Sequence, residues 1–288
     1  MNNRIVFSLA ILAVVVPRSA HSDETITITN SIDMEFALIP AGTFTMGSPD
    51  GEAERDDKEK QHQVTITKSF YIGVQEVTQA EYGEVMSGLE DFRDRSAFAA
   101  PENPVENVEW QLAKLFCERL TSRPEEESAG RKYRLPTEVE WEHACRGGTS
   151  TAFHFGNSLS STQANFNGQY PAGDAKKDKY LRKTTKGGSY EPNAFGLHDM
   201  HGNVAEWCAD WYDPDYYFDS PGEDPQGPPS GVVPTNFTNA EQNFFVVVRG
   251  GCWVDDGRAC RSAYRFRAMP NTQYRLIGFR VVCDVAEE

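Results

Sequence analysis

Asp199 and Glu206 stand seven positions apart around a turn that contains Gly202. Two hard carboxylates, with backbone carbonyls aimed inward between them, suit calcium, which takes six to eight oxygen ligands. His198 and His201 in the same stretch invite a transition-metal reading. No H-E-x-x-H accompanies them and the other four histidines are scattered, so calcium is the expected occupant of the turn. A second reactive group is Cys252 with Cys260, seven residues between them. Paired thiolates suit soft copper(I) or thiol exchange. They belong to a set of six, with Cys117, Cys145, Cys208 and Cys283. None of the spacings is C-x-x-C, which argues against a zinc ribbon or a thioredoxin-type motif.

The compartment bears on those thiols. The first residues give a positive charge at Arg4, an apolar run over 5–16 and the small-residue site Ala20-His21-Ser22. That pattern predicts a cleaved signal peptide over 1–22 and a periplasmic or secreted protein. The run is shorter than the roughly 20 residues a spanning helix needs, and no later segment is longer, so no transmembrane segment is expected after cleavage. An even cysteine count in an exported chain fits disulfides, whose connectivity spacing alone leaves open. The formal charge of −15 makes nucleic acid an unlikely partner on physical grounds, because that affinity rests on Lys and Arg neutralising phosphates.

The elements that must position these groups are short. Thr78 with Glu81 and Thr137 with Glu140 carry the capping-box pattern and each should open a brief helix. Trp110, Ala113, Phe116, Cys117 and Leu120 recur at helical spacing, predicting an amphipathic helix over 109–121. Strands are expected over 35–39, 63–66, 70–74, 244–249 and 278–282. The stretches 48–61, nearly all charged and polar, and 220–243, dense in Pro, Gly and Asn, read as solvated surface loops. The fold class is α+β, loop-rich, without the alternation of a βαβ chain.

Five segments taken together resemble the formylglycine-generating-enzyme (sulfatase-modifying factor) superfamily. They are 39–48 (IPAGTFTMGS), 134–142 (RLPTEVEWE), 196–207 (GLHDMHGNVAEW), Arg249-Gly250-Gly251 and 277–280 (IGFR). The likeness covers about 33–284 and implies one compact domain with that family's fold, similar to the C-type lectin fold. It also implies a structural calcium site at Asp199, the Gly202 and Val204 carbonyls and Glu206. A second calcium set is similar at Asn165, the Phe166 carbonyl, Asp178 and the Tyr180 carbonyl.

The oxidising members of the superfamily bind copper(I) through a C-x4-C pair after the Arg-Gly-Gly and use oxygen to convert a substrate cysteine to formylglycine. Here Cys252 falls where the family usually has a groove Ser, and Asp255 falls on the first catalytic cysteine. A three-residue shift puts Cys252 on that first position and Gly257 on the second. Ala205 replaces a family Trp and Leu276 an Asn, while Arg265 matches the groove arginine. The resemblance also implies disulfides Cys145–Cys260 and Cys117–Cys283, leaving Cys208 with Cys252. The expected function is oxidation of a protein or peptide cysteine with Cys252 or Cys260 as thiolate. The alternative is a calcium-stabilised module that binds a peptide, glycan or protein partner without catalysis.

Overall fold

A computed structural model describes residues 25–89, 94–229 and 244–285; the expected signal peptide lies outside them, as does 230–243. Five strands form one antiparallel sheet in the order β1-β2-β5-β11-β6: β1 Thr27–Thr29, β2 Glu35–Ile39, β5 Phe70–Gly73, β6 Arg131–Arg134 and β11 Val282–Val285. A hairpin joins β3 Gly42–Met46 to β4 His62–Ile66. A second sheet runs β10-β7-β8-β9, from β7 Ala205–Trp211, β8 Val246–Arg249, β9 Phe266–Ala268 and β10 Ile277–Gly278. Its β7–β10 pair is parallel. This mixed, loop-rich arrangement is the expected class.

Local chemistry explains the helices. In α1 (Gln79–Met86) the Thr78 hydroxyl accepts from the Glu81 amide while Glu81 reaches back to the Thr78 amide. Thr137 and Glu140 repeat that exchange at the start of α4 (Glu138–Arg146), which ends on Gly147 in the left-handed region. Between them, α2 (Trp110–Thr121) buries the five residues the helical spacing picked out. The short α3 (Pro124–Ser128) starts on a proline, whose missing N–H costs nothing at a first helical turn. One further turn, α5, covers Tyr216–Asp219.

Two expectations need correction, and one strand was not expected. The strand expected over 278–282 is two elements: Gly278 ends β10, and Val282 begins β11 in the other sheet. At the crossing Gly278 sits so close to the Val105 carbonyl that a Cβ would lie 2.4 Å from it. The stretch 48–61 is not simply solvated. Ser48 and Glu59 are wholly buried, and Glu59 takes both ends of the Arg261 guanidinium at 2.7 and 2.8 Å, so the loop is tied down at its far end. Finally β7, central to the second sheet, carries no alternating pattern because both its faces are buried.

β7 is the element that organises the rest. Ala205 and Trp207 face one hydrophobic cluster and Cys208 the other. The turn 198–204 leads into it, and the loop after β8 folds back over its first residues.

Candidate functional site

That loop opens a cavity. Gly250 and Gly251 follow β8 with φ of 94° and 68°, values an L side chain rarely adopts, and the chain then turns through 252–256 into a 3-10 turn, Gly257–Cys260. A cavity of about 140 Å³ forms between this turn and the β7–β10 edge, lined by Ala205, Cys252, Asp255, Tyr264, Phe266, Tyr274, Leu276 and Ile277. Its inner polar group is a thiol against a carboxylate. Asp255 Oδ2 accepts from the Cys252 amide at 3.0 Å and from the Cys252 thiol at 3.2 Å. Burial, and next the Asp255 charge, push the Cys252 thiol well up, so it is a protonated thiol at neutral pH. Burial raises Asp255 too, with the Cys252 contacts opposing. Beside it Trp253 is fixed by its indole N–H to the Arg275 carbonyl at 3.1 Å and by the Phe98 ring at 5.4 Å.

Behind the cavity, the sequence motifs reappear as buried ion pairs. Arg249 donates to Glu138 at 2.7 Å and to Glu142 at 2.6 Å. Arg265 forks onto Glu138 at 2.7 and 2.8 Å, and Arg146 onto Glu142. Burial alone would raise Glu138, yet Arg265 and Arg249 outweigh it and hold the carboxyl low; Arg146 and Arg249 do the same for Glu142. Arg265, expected in the substrate groove, is therefore corrected to a core residue. It lies against the Tyr217 ring at 4.0 Å, with its guanidinium spent on Glu138 and on backbone carbonyls.

The turn 198–204 brings Asp199 and Glu206, the two carboxylates of the first expected calcium set, within electrostatic reach of each other. Glu206 is gripped by Arg280 at 2.7 Å through each oxygen, and its Oε2 also takes the Trp141 indole N–H at 2.8 Å. Its Oε1 keeps a lone pair free. Asp199 accepts the Gly188 amide on Oδ2, while its buried Oδ1 has no partner. Two more buried oxygens nearby are orphaned: Glu76 Oε1, and Asn165 Oδ1 of the second expected set. Burial raises Glu76, and the Asp199 and Glu206 charges raise it further. Orphaned buried oxygens around a net negative cluster are what a cation site looks like without its ion, so these residues fit calcium. No group of three His, Cys, Asp or Glu placed to hold a metal is present among the described residues. In the second set the Asp178 amide bonds the Gly168 carbonyl at 2.9 Å, joining the segment of Asn165 and Phe166 to that of Asp178 and Tyr180. Glu76 carried no sequence signal beyond its acidity.

The His198/His201 pair takes no part in such a site. His201 donates from Nδ1 to the Cys260 carbonyl at 2.7 Å and accepts the His154 amide on Nε2 at 3.1 Å. Burial drives its pKa down to about 3. His198 faces the Tyr190 carbonyl.

The model of the sulfatase-modifying factor enzyme 1-like domain matches residues 27–285. The chain belongs to this family. It is 32% identical over 302 residues to the serine/threonine-protein kinase pkn1 of Chlamydia pneumoniae, covering 96% of this chain and 42% of that one. It thus spans about two fifths of the kinase-named relatives it matches. It is 28% identical to the formylglycine-generating enzyme of Streptomyces coelicolor over 85% of this chain and 88% of the other. Among solved structures it resembles PvdO from Pseudomonas aeruginosa, with a TM-score of 0.73, 28% identity, and coverage of 91% and 98%.

Against the copper chemistry of oxidising members of the sulfatase-modifying factor family, the thiols here are poorly arranged. Copper(I) wants two soft sulfurs. The cavity offers one, Cys252, whose neighbour is the hard carboxylate of Asp255. The Cys260 sulfur sits behind the cavity wall, 2.8 Å from where a Cβ on Gly251 would stand, and points to the Asp256 carbonyl. Only the Cys252 sulfur lines the cavity, with the Cys260 sulfur out of the lining but within electrostatic reach of it.

All six cysteines are buried free thiols, so none of the expected disulfides is closed. For Cys208 with Cys252 the reason is topological, since they lie on opposite faces of β7 in different clusters. Cys145 and Cys260 do share a junction: the Cys145 sulfur is 3.9 Å from the His201 Nδ1 that bonds the Cys260 carbonyl, and 3.6 Å from the Ser262 hydroxyl. Cys117 and Cys283 belong to one core cluster. No helix among the described residues is long and apolar enough to cross a membrane.

Proposed function

We propose that this chain is an exported, calcium-stabilised docking module that binds an extended segment of another polypeptide and seats one of its side chains in the cavity beside Cys252. The observation that carries this reading is the cavity itself: a single protonated thiol paired with a carboxylate, walled by apolar and aromatic groups, where a copper-dependent cysteine oxidase needs two sulfurs. The small Ala205 makes the space, and exposed Phe266 and Tyr274 frame its mouth. Peptide display on the full chain tests it. Selected peptides should lose about tenfold or more in affinity for Ala205→Trp, which fills the cavity. Oxygen-dependent mass change in a cysteine peptide, with Cys252 protected from alkylation by added copper(I), would instead establish the oxidase and sink the docking reading.

Calcium belongs to the same proposal. Asp199, Glu206 and the Gly202 and Val204 carbonyls would hold one ion, with Asn165, Asp178 and the Phe166 and Tyr180 carbonyls holding a second; bound calcium supplies positive charge to a buried acidic cluster. Support comes from the orphaned oxygens of Asp199, Glu76 and Asn165. Calcium at about a hundred times its Kd should stabilise the fold by about 2.7 kcal/mol, read as a higher melting temperature than in chelator. Asp199→Ala should abolish that difference. Superimposable melts of the parent chain with and without calcium would refute the ion's role.

A further inference from the structure

We propose that the Cys252–Asp255 cavity is a receptor for a cationic side chain, an ammonium or guanidinium carried on an aliphatic stem as in lysine or arginine. This rests on the docking reading above and names what the groove selects. Both hydrogen bonds that Asp255 accepts go to Oδ2. Its Oδ1 accepts none among the described residues, and it is not among the oxygens sealed from solvent. Asp255 lines the cavity, and its Oδ1 is the acceptor left for a ligand. The cation closest in sequence, Arg258, pairs with Asp256 at 3.7 Å and reaches Asp255 only as a minor charge, so no cation among the described residues hydrogen-bonds Asp255.

The walls suit a cation with a greasy stem. Ala205, Leu276 and Ile277 line it with alkyl groups, and Tyr264, Phe266 and Tyr274 line it with aromatic side chains. Phe266 is 49% exposed and Tyr274 58% exposed, so neither is covered by the described residues. Ring faces attract cations by their quadrupole, more strongly when water is excluded. An apolar or anionic side chain would bury the Asp255 carboxylate without a counter-ion, at a cost that a cation removes. The volume of about 140 Å³ admits one side chain and is well below the roughly 300–1,000 Å³ of sites for larger organic ligands.

Calorimetric titration of the full chain with N-acetyl-lysinamide, N-acetyl-argininamide and the neutral isostere N-acetyl-norleucinamide reads this directly. The cations should bind at least tenfold more tightly than norleucine. Asp255→Asn should erase that preference, and Tyr274→Ala, at an exposed position where folding is not at stake, should weaken lysine by roughly threefold or more. Equal affinity of the parent chain for lysine and norleucine overturns the cation receptor and leaves the docking module standing. Absence of binding by all three, together with peptide selection that Ala205→Trp does not change, removes the docking reading itself.

Discussion

Arg280→Met should destabilise the fold by about 3–5 kcal/mol, the cost of leaving a buried charge without its partner. Arg280 is wholly buried and is the one arginine or lysine that contacts Glu206 among the described residues. It also bonds the Gly73 and His198 carbonyls at 3.0 Å, so its loss strips two backbone acceptors as well. Glu76 and Asp199 lie within electrostatic reach of Glu206, which makes the remaining cluster purely acidic apart from the nearby His198. Urea denaturation checks the figure. Replacing both partners, Arg280→Met with Glu206→Leu, should recover part of the loss, because two neutral groups leave no orphaned charge. A single variant within 1 kcal/mol of the parent would show that the pair does not hold this turn together.

Gly202→Ala should cost about 3 kcal/mol or more and should also abolish any calcium response. At φ 128° the residue occupies backbone space that L side chains rarely enter, and an added Cβ would stand 2.5 Å from the Asn165 carbonyl oxygen. Strained backbone costs about 1–3 kcal/mol and forced overpacking a similar amount. The clash cannot be relieved cheaply, since the same Asn165 carbonyl accepts the Asn203 amide at 2.8 Å. Moving it would break the link between the two expected calcium sets. Thermal melting in calcium and in chelator reads both effects; a Gly202→Ala chain that melts with the parent and still responds to calcium would refute this account of the turn.

Much of the scaffold was legible in residue order because its signals are local. Both capping boxes and the buried face of α2 follow from neighbours three and four apart on one helix, and the motif segments were enough to point to the sulfatase-modifying factor family. The acidic turn around Gly202 was legible for the same reason, its ligand candidates lying within eight consecutive residues.

The partners of those residues were not legible. Arg265 matched a groove position by alignment, yet Glu138, more than a hundred residues earlier, draws it into the core. Cys208 and Cys252 were left together by elimination, but β7 puts them on opposite sides of a sheet. Glu76 gained meaning only when the segment between β5 and α1 placed its orphaned oxygen beside the Asp199 cluster. Sequence alone determined α1, α2 and α4, the family and the chemistry available at each position. Which carboxylate meets which cation, and which thiol faces a cavity, were decided by tertiary structure, because burial and long-range pairing set the electrostatics of a side chain and neither is encoded in its immediate neighbours.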